Sequence, residues 1–287
     1  MTRQQCTPVI SWTPAIGRLI DLALDEDLGH GDVTTDLCGQ DGKGVGRIFC
    51  REPIVVCGLP VAEWVLERAE PELEFDAEAS EGVVLHAGSE LARLVGPAAA
   101  TLRVERTAIN FLMRMCGVAT LTRRYVEAVE GTGARVVDTR KTVPGWRVLD
   151  KYAVRVGGGS NHRPHLGSGL LIKDNHIEAC GSVGEAVARA RAGGPHPLRV
   201  EVEVEDSAGV AEALEAGADI LLLDNMRPEQ VREVVQQVDG RALIEVSGGV
   251  DLSSVRSYAE AGAQLISVGA LTHSAPAVNL ALDLEMR

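Results

Sequence analysis

The chain has 287 residues and a formal charge of −13, with 28 Lys+Arg against 41 Asp+Glu. That acid excess disfavours nucleic acid and anionic membrane surfaces as partners. Apolar residues make up 45% but aromatic ones only 3%, so Val, Leu, Ile and Ala must build the core, a composition suited to buried parallel strands between Ala-rich helices.

In chain order, residues 16–27 predict an amphipathic helix, and the Gly-containing stretch 38–46 reads as one loop. Residues 47–57 alternate like a strand, 62–69 read as a helix, and 83–95 as one or two strands broken at 86–88. A helical pattern over 106–118 runs on through 123–129. From Gly133 onward the pattern becomes regular. Short β-rich runs fall at 134–137, 170–172, 199–204, 219–223, 242–246 and 264–268. Helical segments at 183–192, 207–216, 228–238 and 253–261 lie between the later runs. Strand–helix alternation at this spacing means βαβ units on a parallel sheet, and six or seven such units favour a (β/α) barrel over an open sheet.

The six cysteines, Cys6, Cys38, Cys50, Cys57, Cys116 and Cys180, show no CxxC spacing. The pattern argues against a disulfide framework and a zinc site, and predicts reduced thiols. The start, MTRQQCTPVISW, has no apolar leader-like run, and no stretch approaches the ~18 uncharged apolar residues of a membrane helix. These features predict a soluble, cytoplasmic enzyme.

Charge is unevenly spread. Residues 106–173 hold 12 Lys+Arg against 4 Asp+Glu, which leaves 16 against 37 for the rest of the chain. A local basic excess on an acidic chain points to a pocket for small anions. Reacting groups of barrels gather at the C-terminal ends of the strands. Here five strand runs end in polar or glycine residues. The first runs into Asp138-Thr139-Arg140-Lys141, the second into Lys173-Asp174-Asn175-His176 and the fourth into Asp224-Asn225. The last two end in Ser247-Gly248-Gly249 and in Gly269-Ala270. The run Val200–Glu205 alternates Val and Glu, so Glu201, Glu203 and Glu205 should share the barrel's inner face, where a carboxylate needs a cation or a hydroxyl. Arg106, Arg140, Lys141, His162, Arg163 and Lys173 form the cationic set, and arginine forks suit carboxylate and phosphate. His162 and His165 are three apart, but Gly157-Gly158-Gly159 and Pro164 argue against the helix that a metal pair would need. There is no Walker A sequence.

The runs VERTAINFL, VVDTRKTVPGWRVLDKYAVRVGGGSNHR and LLIKDNHI, followed in order by EVEVE, ILLLDN, EVSGGV and ISVGALTHSAP, resemble the carboxylating nicotinate-nucleotide pyrophosphorylase, or quinolinate phosphoribosyltransferase, family. DEDLGHGDVTTD at 25–36 resembles its N-terminal signature. The resemblance implies a type II phosphoribosyltransferase fold: an N-terminal α/β sandwich (1–117), an irregular α/β barrel (118–274) and a terminal helix (275–287) that rejoins the first domain. It implies transfer of phosphoribosyl from 5-phosphoribosyl 1-diphosphate to quinolinate, with magnesium accompanying the diphosphate, in a homodimer whose sites lie at the subunit interface.

Carried over by motif, Arg106 would reach into the partner's site. Arg140, His162, Arg163 and Lys173 would bind the quinolinate carboxylates, with Thr139 beside them and Lys141 near the diphosphate. Glu203 and Asp224 would hold the ribose hydroxyls and the magnesium. Ser247, Gly248 and Gly249, with Val268, Gly269, Ala270 and His273, would cradle the 5-phosphate. The sequence departs from the family pattern at Pro164-His165-Leu166-Gly167-Ser168. Two other readings stay open on the residues alone: a related barrel enzyme with another acceptor (ModD-like), and a non-catalytic phosphosugar-binding barrel.

Overall fold

The computed structural model describes residues 8–39 and 42–287, so Cys6 lies outside the described residues. In chain order these form α1 (Pro14–Leu28), α2 (Val33–Cys38), β1 (Lys43–Cys50), β2 (Ile54–Val55), α3 (Leu59–Ala69), β3 (Glu74–Ala77), β4 (Val84–Leu85), β5 (Glu90–Pro97) and α4 (Ala98–Ala128). There follow β6 (Arg135–Val137), α5 (Arg147–Val156), β7 (Leu170–Ile172), α6 (Asp174–Cys180), α7 (Val183–Gly193), β8 (Val200–Val204), α8 (Ser207–Glu215) and β9 (Ile220–Asp224). The last are α9 (Pro228–Val238), β10 (Leu243–Ser247), α10 (Val255–Glu260), β11 (Leu265–Ser267), α11 (Ala270–His273) and β12 (Leu280–Met286).

They make two compact units: Met1–Arg123 with Val143–Gly158 and Ser274–Arg287, and Arg124–Thr142 with Gly159–His273. The sequence reading put one boundary at 117. The division between these two compact units falls inside α4, and Val143–Gly158 groups with the first unit.

The first unit is built on a four-stranded sheet in the order β12-β1-β5-β3. The expected terminal helix is a strand: β12 runs antiparallel to β1, with Val45 opposite Glu285 and Ile48 opposite Leu282. Residues 43–46, expected in a loop, belong to β1. Thr13 starts α1 by accepting the Ile16 N–H, with Pro14 at the first turn, where no N–H is needed. The helix α4 buries Val104, Ala108, Leu112, Met115 and Ala119, an apolar stripe at three- and four-residue spacing. Gly117 on this helix has no substitute: a Cβ there would stand 2.1 Å from Pro276 O. Cys57 and Cys116 are buried and hydrogen-bonded, the Cys57 N–H lying 3.2 Å from Cys116 Sγ. Burial pushes the Cys116 thiol up to about 12, so it stays a neutral packing group. Among the described residues the cysteines are free thiols.

The second unit is a six-stranded sheet in the order β6-β11-β10-β9-β8-β7. Its neighbouring strands run parallel, for example Val246 beside Ile266 and beside Leu223. Beyond β6 the parallel pairing continues for one residue, Ser160 beside Val137. This is the barrel-like sheet expected from the strand–helix alternation. Helices α7 to α10 follow that alternation. Ser182 caps α7 and Asp206 caps α8, each accepting the N–H three residues on, and Val231, Val234 and Val238 form the buried stripe of α9. In β8 all three valines are buried, and Glu201 and Glu203 take the alternate face as expected. Glu205 does not join them: it lies beyond the strand and is exposed. No helix among the described residues is long and apolar enough to cross a membrane.

Candidate active site

The strands of the second unit deliver their C-terminal residues around one cavity of about 420 Å³. Arg140 and Lys141 come from the segment after β6, His162 and Arg163 from the segment after Ser160, and Lys173 from the end of β7. Glu203, Asp224, Glu245 and Ser247 come from β8, β9 and β10. All the cations expected in the barrel, and both expected carboxylates, therefore line the same space. Arg106 belongs to the first unit, where it is exposed on α4.

The cationic side is under electrostatic load. Burial, and then the neighbouring Arg140 guanidinium, hold the Arg163 guanidinium below its usual range, with Glu201 opposing them. Arg163 Nη1 donates to Gly169 O at 3.0 Å. Its buried Nε has no hydrogen-bond partner among the described residues. Two guanidiniums gathered in this way, one with a buried idle donor, suit an anion that would relieve the repulsion and take the bond. The departing stretch Pro164–Ser168 leaves this arrangement intact. Leu166–Ser168 forms a single tight turn in which Ser168 Oγ accepts the His165 N–H, and the chain returns at Gly169 to meet Arg163.

Asp138, not among the expected site residues, organises the segment. It is fully buried at the end of β6, and its carboxylate accepts Asn161 Nδ2–H at 2.6 Å and His162 N–H at 2.8 Å. The Arg163 N–H donates to His162 Nδ1 at 2.7 Å. The ring proton therefore sits on Nε2, which faces Glu201 Oε2 at 3.2 Å. Both ring nitrogens meet protein groups, and His162 lines the cavity together with the cations. Thr272 holds the Lys141 backbone, donating to its carbonyl at 2.8 Å.

On the acidic side, Lys173 Nζ pairs with Glu203, and Asn225 Nδ2 donates to Asp224 Oδ2 at 2.6 Å. Below them the cavity floor holds Glu245, whose carboxyl burial pushes up to about 7, helped by the Glu201 charge. At the glycine-rich end, Gly248 and Gly249 both have positive φ. A Cβ on Gly248 would stand 2.2 Å from Asn225 Oδ1, whereas one on Gly249 would point into open space. Gly269 approaches both the Lys141 and His273 side chains, so the ends of β6 and β11 meet there. Val268 is buried, and its N–H is given to Val137 O.

Residues 118–283 match the family model described as the C-terminal domain of quinolinate phosphoribosyl transferase, and residues 32–116 match the N-terminal one. The chain belongs to the quinolinate phosphoribosyl transferase family. Among curated relatives, it is 42% identical to the nicotinate-nucleotide pyrophosphorylase [carboxylating] of Mycobacterium leprae, over 91% of this chain and 94% of that protein. It is 37% identical to the probable enzyme of the same name from Bacillus subtilis, over 91% and 90%. Among solved structures, NadC from Streptococcus pyogenes superposes with a TM-score of 0.92 at 38% identity, covering 97% of this chain and all of that one.

Seen as a member of this family, the chain brings its motif cations, carboxylates and glycines to one set of strand ends. Sequence reasoning missed Asp138, Glu245, Ser267 and Thr272. Asp138 and Glu245 had a usable signal, since each is a lone carboxylate within or directly after an apolar strand run, where only a built partner can hold it.

Proposed function

We propose that the protein transfers phosphoribosyl from 5-phosphoribosyl 1-diphosphate to quinolinate, releasing diphosphate and CO2 and forming nicotinate mononucleotide for NAD biosynthesis. The observation that carries this reading is the single cavity in which Arg140, Arg163, Lys141 and Lys173 meet Glu203 and Asp224. A monocarboxylate acceptor would not need so many cations, and an acceptor with two carboxylates does.

In this reading Arg140, Arg163 and Lys173 hold the two acceptor carboxylates and aim the ring nitrogen at the anomeric carbon. Lys141, which lines the same cavity, offsets charge on the departing diphosphate. Glu203 and Asp224 face the ribose, accept its hydroxyls and stabilise the positive charge that develops on the sugar. The C–O bond to diphosphate breaks, the nitrogen lone pair forms the C–N bond, and the quaternised ring then takes the electron pair left by CO2. The ring carbon so exposed gains a proton. The glycine-rich ends of β10 and β11 leave room for the 5-phosphate, and Gly249 supplies the open approach. Glu203 and Asp224 also suit magnesium, because oxygen-only carboxylate donors are what that ion takes beside substrate phosphates. Bound there, magnesium would screen the diphosphate charge.

The test is direct. Protein, magnesium and phosphoribosyl diphosphate with quinolinate should yield nicotinate mononucleotide and CO2, and with nicotinate should yield neither. Turnover with nicotinate alone would sink the reading.

The same reading takes the working form to be a cytoplasmic homodimer, of twice the 30.4 kDa chain mass, with Arg106 serving the partner's site. Arg106→Ala and Lys173→Ala proteins should each be inactive. Mixed with subunit exchange, they should regain about a quarter of wild-type turnover, because about half of the reassociated dimers are mixed and each has one intact site. No recovery after proven exchange would remove the shared site.

A further inference from the structure

The chain bends sharply where β9 ends, directly after the Asp224 carboxylate. Asn225 takes a positive φ of 55°, and among the described residues only Asn225 and Asp239 do so outside glycine. Asp239 closes the C-terminus of α9, where such a conformation is ordinary, whereas Asn225 stands at a strand end of the site. The bend itself is set by the backbone. Asp224 pairs with Ser247 in the β9–β10 ladder, the Asn225 N–H donates to Ser247 O at 3.0 Å, and Met226 then turns into the core. A glycine at 225 would make this bend with less strain. The Asn225 side chain is exposed, so packing does not call for it either.

What glycine would lack is the amide. Asn225 Nδ2 donates to Asp224 Oδ2 at 2.6 Å. On its other side the amide oxygen lies 2.2 Å from where a Cβ on Gly248 would stand. Gly248, with a φ of 93°, has no side chain to push the amide away. Asn225 is thus wedged between the carboxylate at the end of β9 and the glycine turn at the end of β10. Asp224 and Ser247 line the cavity, and Asn225 does not. We infer that Asn225 is a positioning residue: its amide ties up one oxygen of Asp224, turns the other toward the ribose, and fixes that carboxylate against the turn that takes the 5-phosphate. The inference rests on the functional reading above, which gives Asp224, Gly248 and Gly249 to phosphoribosyl diphosphate. Without the amide the carboxylate would rotate, and the sugar would have to order it on binding.

The consequence is selective. Phosphoribosyl diphosphate meets Asp224 and the glycine turn at once. Quinolinate is held by Arg140, Arg163 and Lys173 and gains nothing from Asn225. Losing the amide should therefore weaken the use of phosphoribosyl diphosphate about tenfold. That is the low end for a hydrogen bond to a charged group, and it applies because the pair is exposed.

Two variants separate the amide from the backbone. Asn225→Gly keeps the bend and removes the amide. It should melt within about 3 °C of wild type. It should still lose about tenfold in kcat/KM for phosphoribosyl diphosphate, with the Kd for quinolinate, by calorimetry, within about twofold of wild type. Asn225→Asp keeps the shape and tolerates the bend, but sets a second carboxylate against Asp224. It should therefore fall at least about threefold below the glycine variant. A merely conformational role gives another order, with glycine at or above wild type and aspartate level with it. That order overturns the assignment, as do equal losses for both substrates or a glycine variant that melts lower by more than the stated margin. Wild-type protein that does not turn over quinolinate would remove the functional reading separately. Calorimetry of phosphoribosyl diphosphate with magnesium then decides on Asn225 alone: an affinity about tenfold weaker in Asn225→Gly supports its role, and equal affinity overturns it. No binding by wild type removes both.

Discussion

Replacing Arg140 with alanine should raise KM for quinolinate about 30- to 160-fold and leave KM for phosphoribosyl diphosphate within about threefold. A hydrogen bond to a charged group contributes about 1.5–3 kcal/mol net, and a fork can make two. Part of that loss is returned, because removing Arg140 relieves the repulsion that adds to burial in holding the Arg163 guanidinium below its usual range. The balance is about 2–3 kcal/mol, and each 1.4 kcal/mol is tenfold. Arg140→Lys should fall between, because it restores the charge but not the planar fork. Steady-state kinetics with each substrate varied in turn checks this. Equal losses for both substrates would show that Arg140 supports the cavity generally and does not grip the acceptor.

The same cavity shows what a sequence can and cannot carry. The strand ends were legible because each motif has two signals at once: a short β-rich run and a polar cluster directly after it. Hence Arg140, Lys141, Lys173, Glu203 and Asp224 can all be placed at their strand ends from the sequence alone. The groups behind them were not, since Asp138 and Thr272 act through backbone atoms of other segments, and nothing local shows which segments will meet. The resemblance places His162 among the acceptor ligands. Only the geometry reveals that Arg163 N–H and Glu201 take both of its nitrogens.

In the first unit, β12 was mistaken for the helix the family resemblance implies. Its own pattern, Leu280, Leu282, Leu284 and Met286 at every second position, already had the period of a strand. Leu, Ala, Glu and Met favour helix individually, but pairing along the whole of β1 decides the outcome. The helix α5 went unread for the opposite reason. Asp150 and Lys151 interrupt its apolar face, and they are buried there all the same.

That burial sets up the second large effect, on stability. Arg114→Ala should cost the first unit about 3–5 kcal/mol. The Arg114 guanidinium reaches both carboxylate oxygens of Asp150, with Nη2 at 2.8 Å from Oδ1 and 2.9 Å from Oδ2, and Nε at 3.1 Å from Oδ1. The Asp150 side chain is 1% exposed, so water cannot replace the arginine. Removing one partner of such a pair strands the other charge, and that penalty exceeds what the pair itself contributes. The guanidinium also sits 5.4 Å over the Trp146 ring, which is stacked on Phe111 at 4.9 Å, so the truncation opens space in an aromatic cluster as well. Lys151, buried next in the helix, keeps some positive charge close to the stranded carboxylate and pulls the expected cost toward the lower figure. Because the penalty comes from the stranded charge, removing both partners should be far milder. Arg114→Met with Asp150→Leu should recover all but about 1–2 kcal/mol of wild-type stability, since apolar groups of similar volume can replace a buried pair. Urea unfolding followed at the tryptophans, one of which is Trp146, measures both. A double variant as unstable as Arg114→Ala would mean that packing against Trp146, and not the buried Asp150 charge, carries the effect.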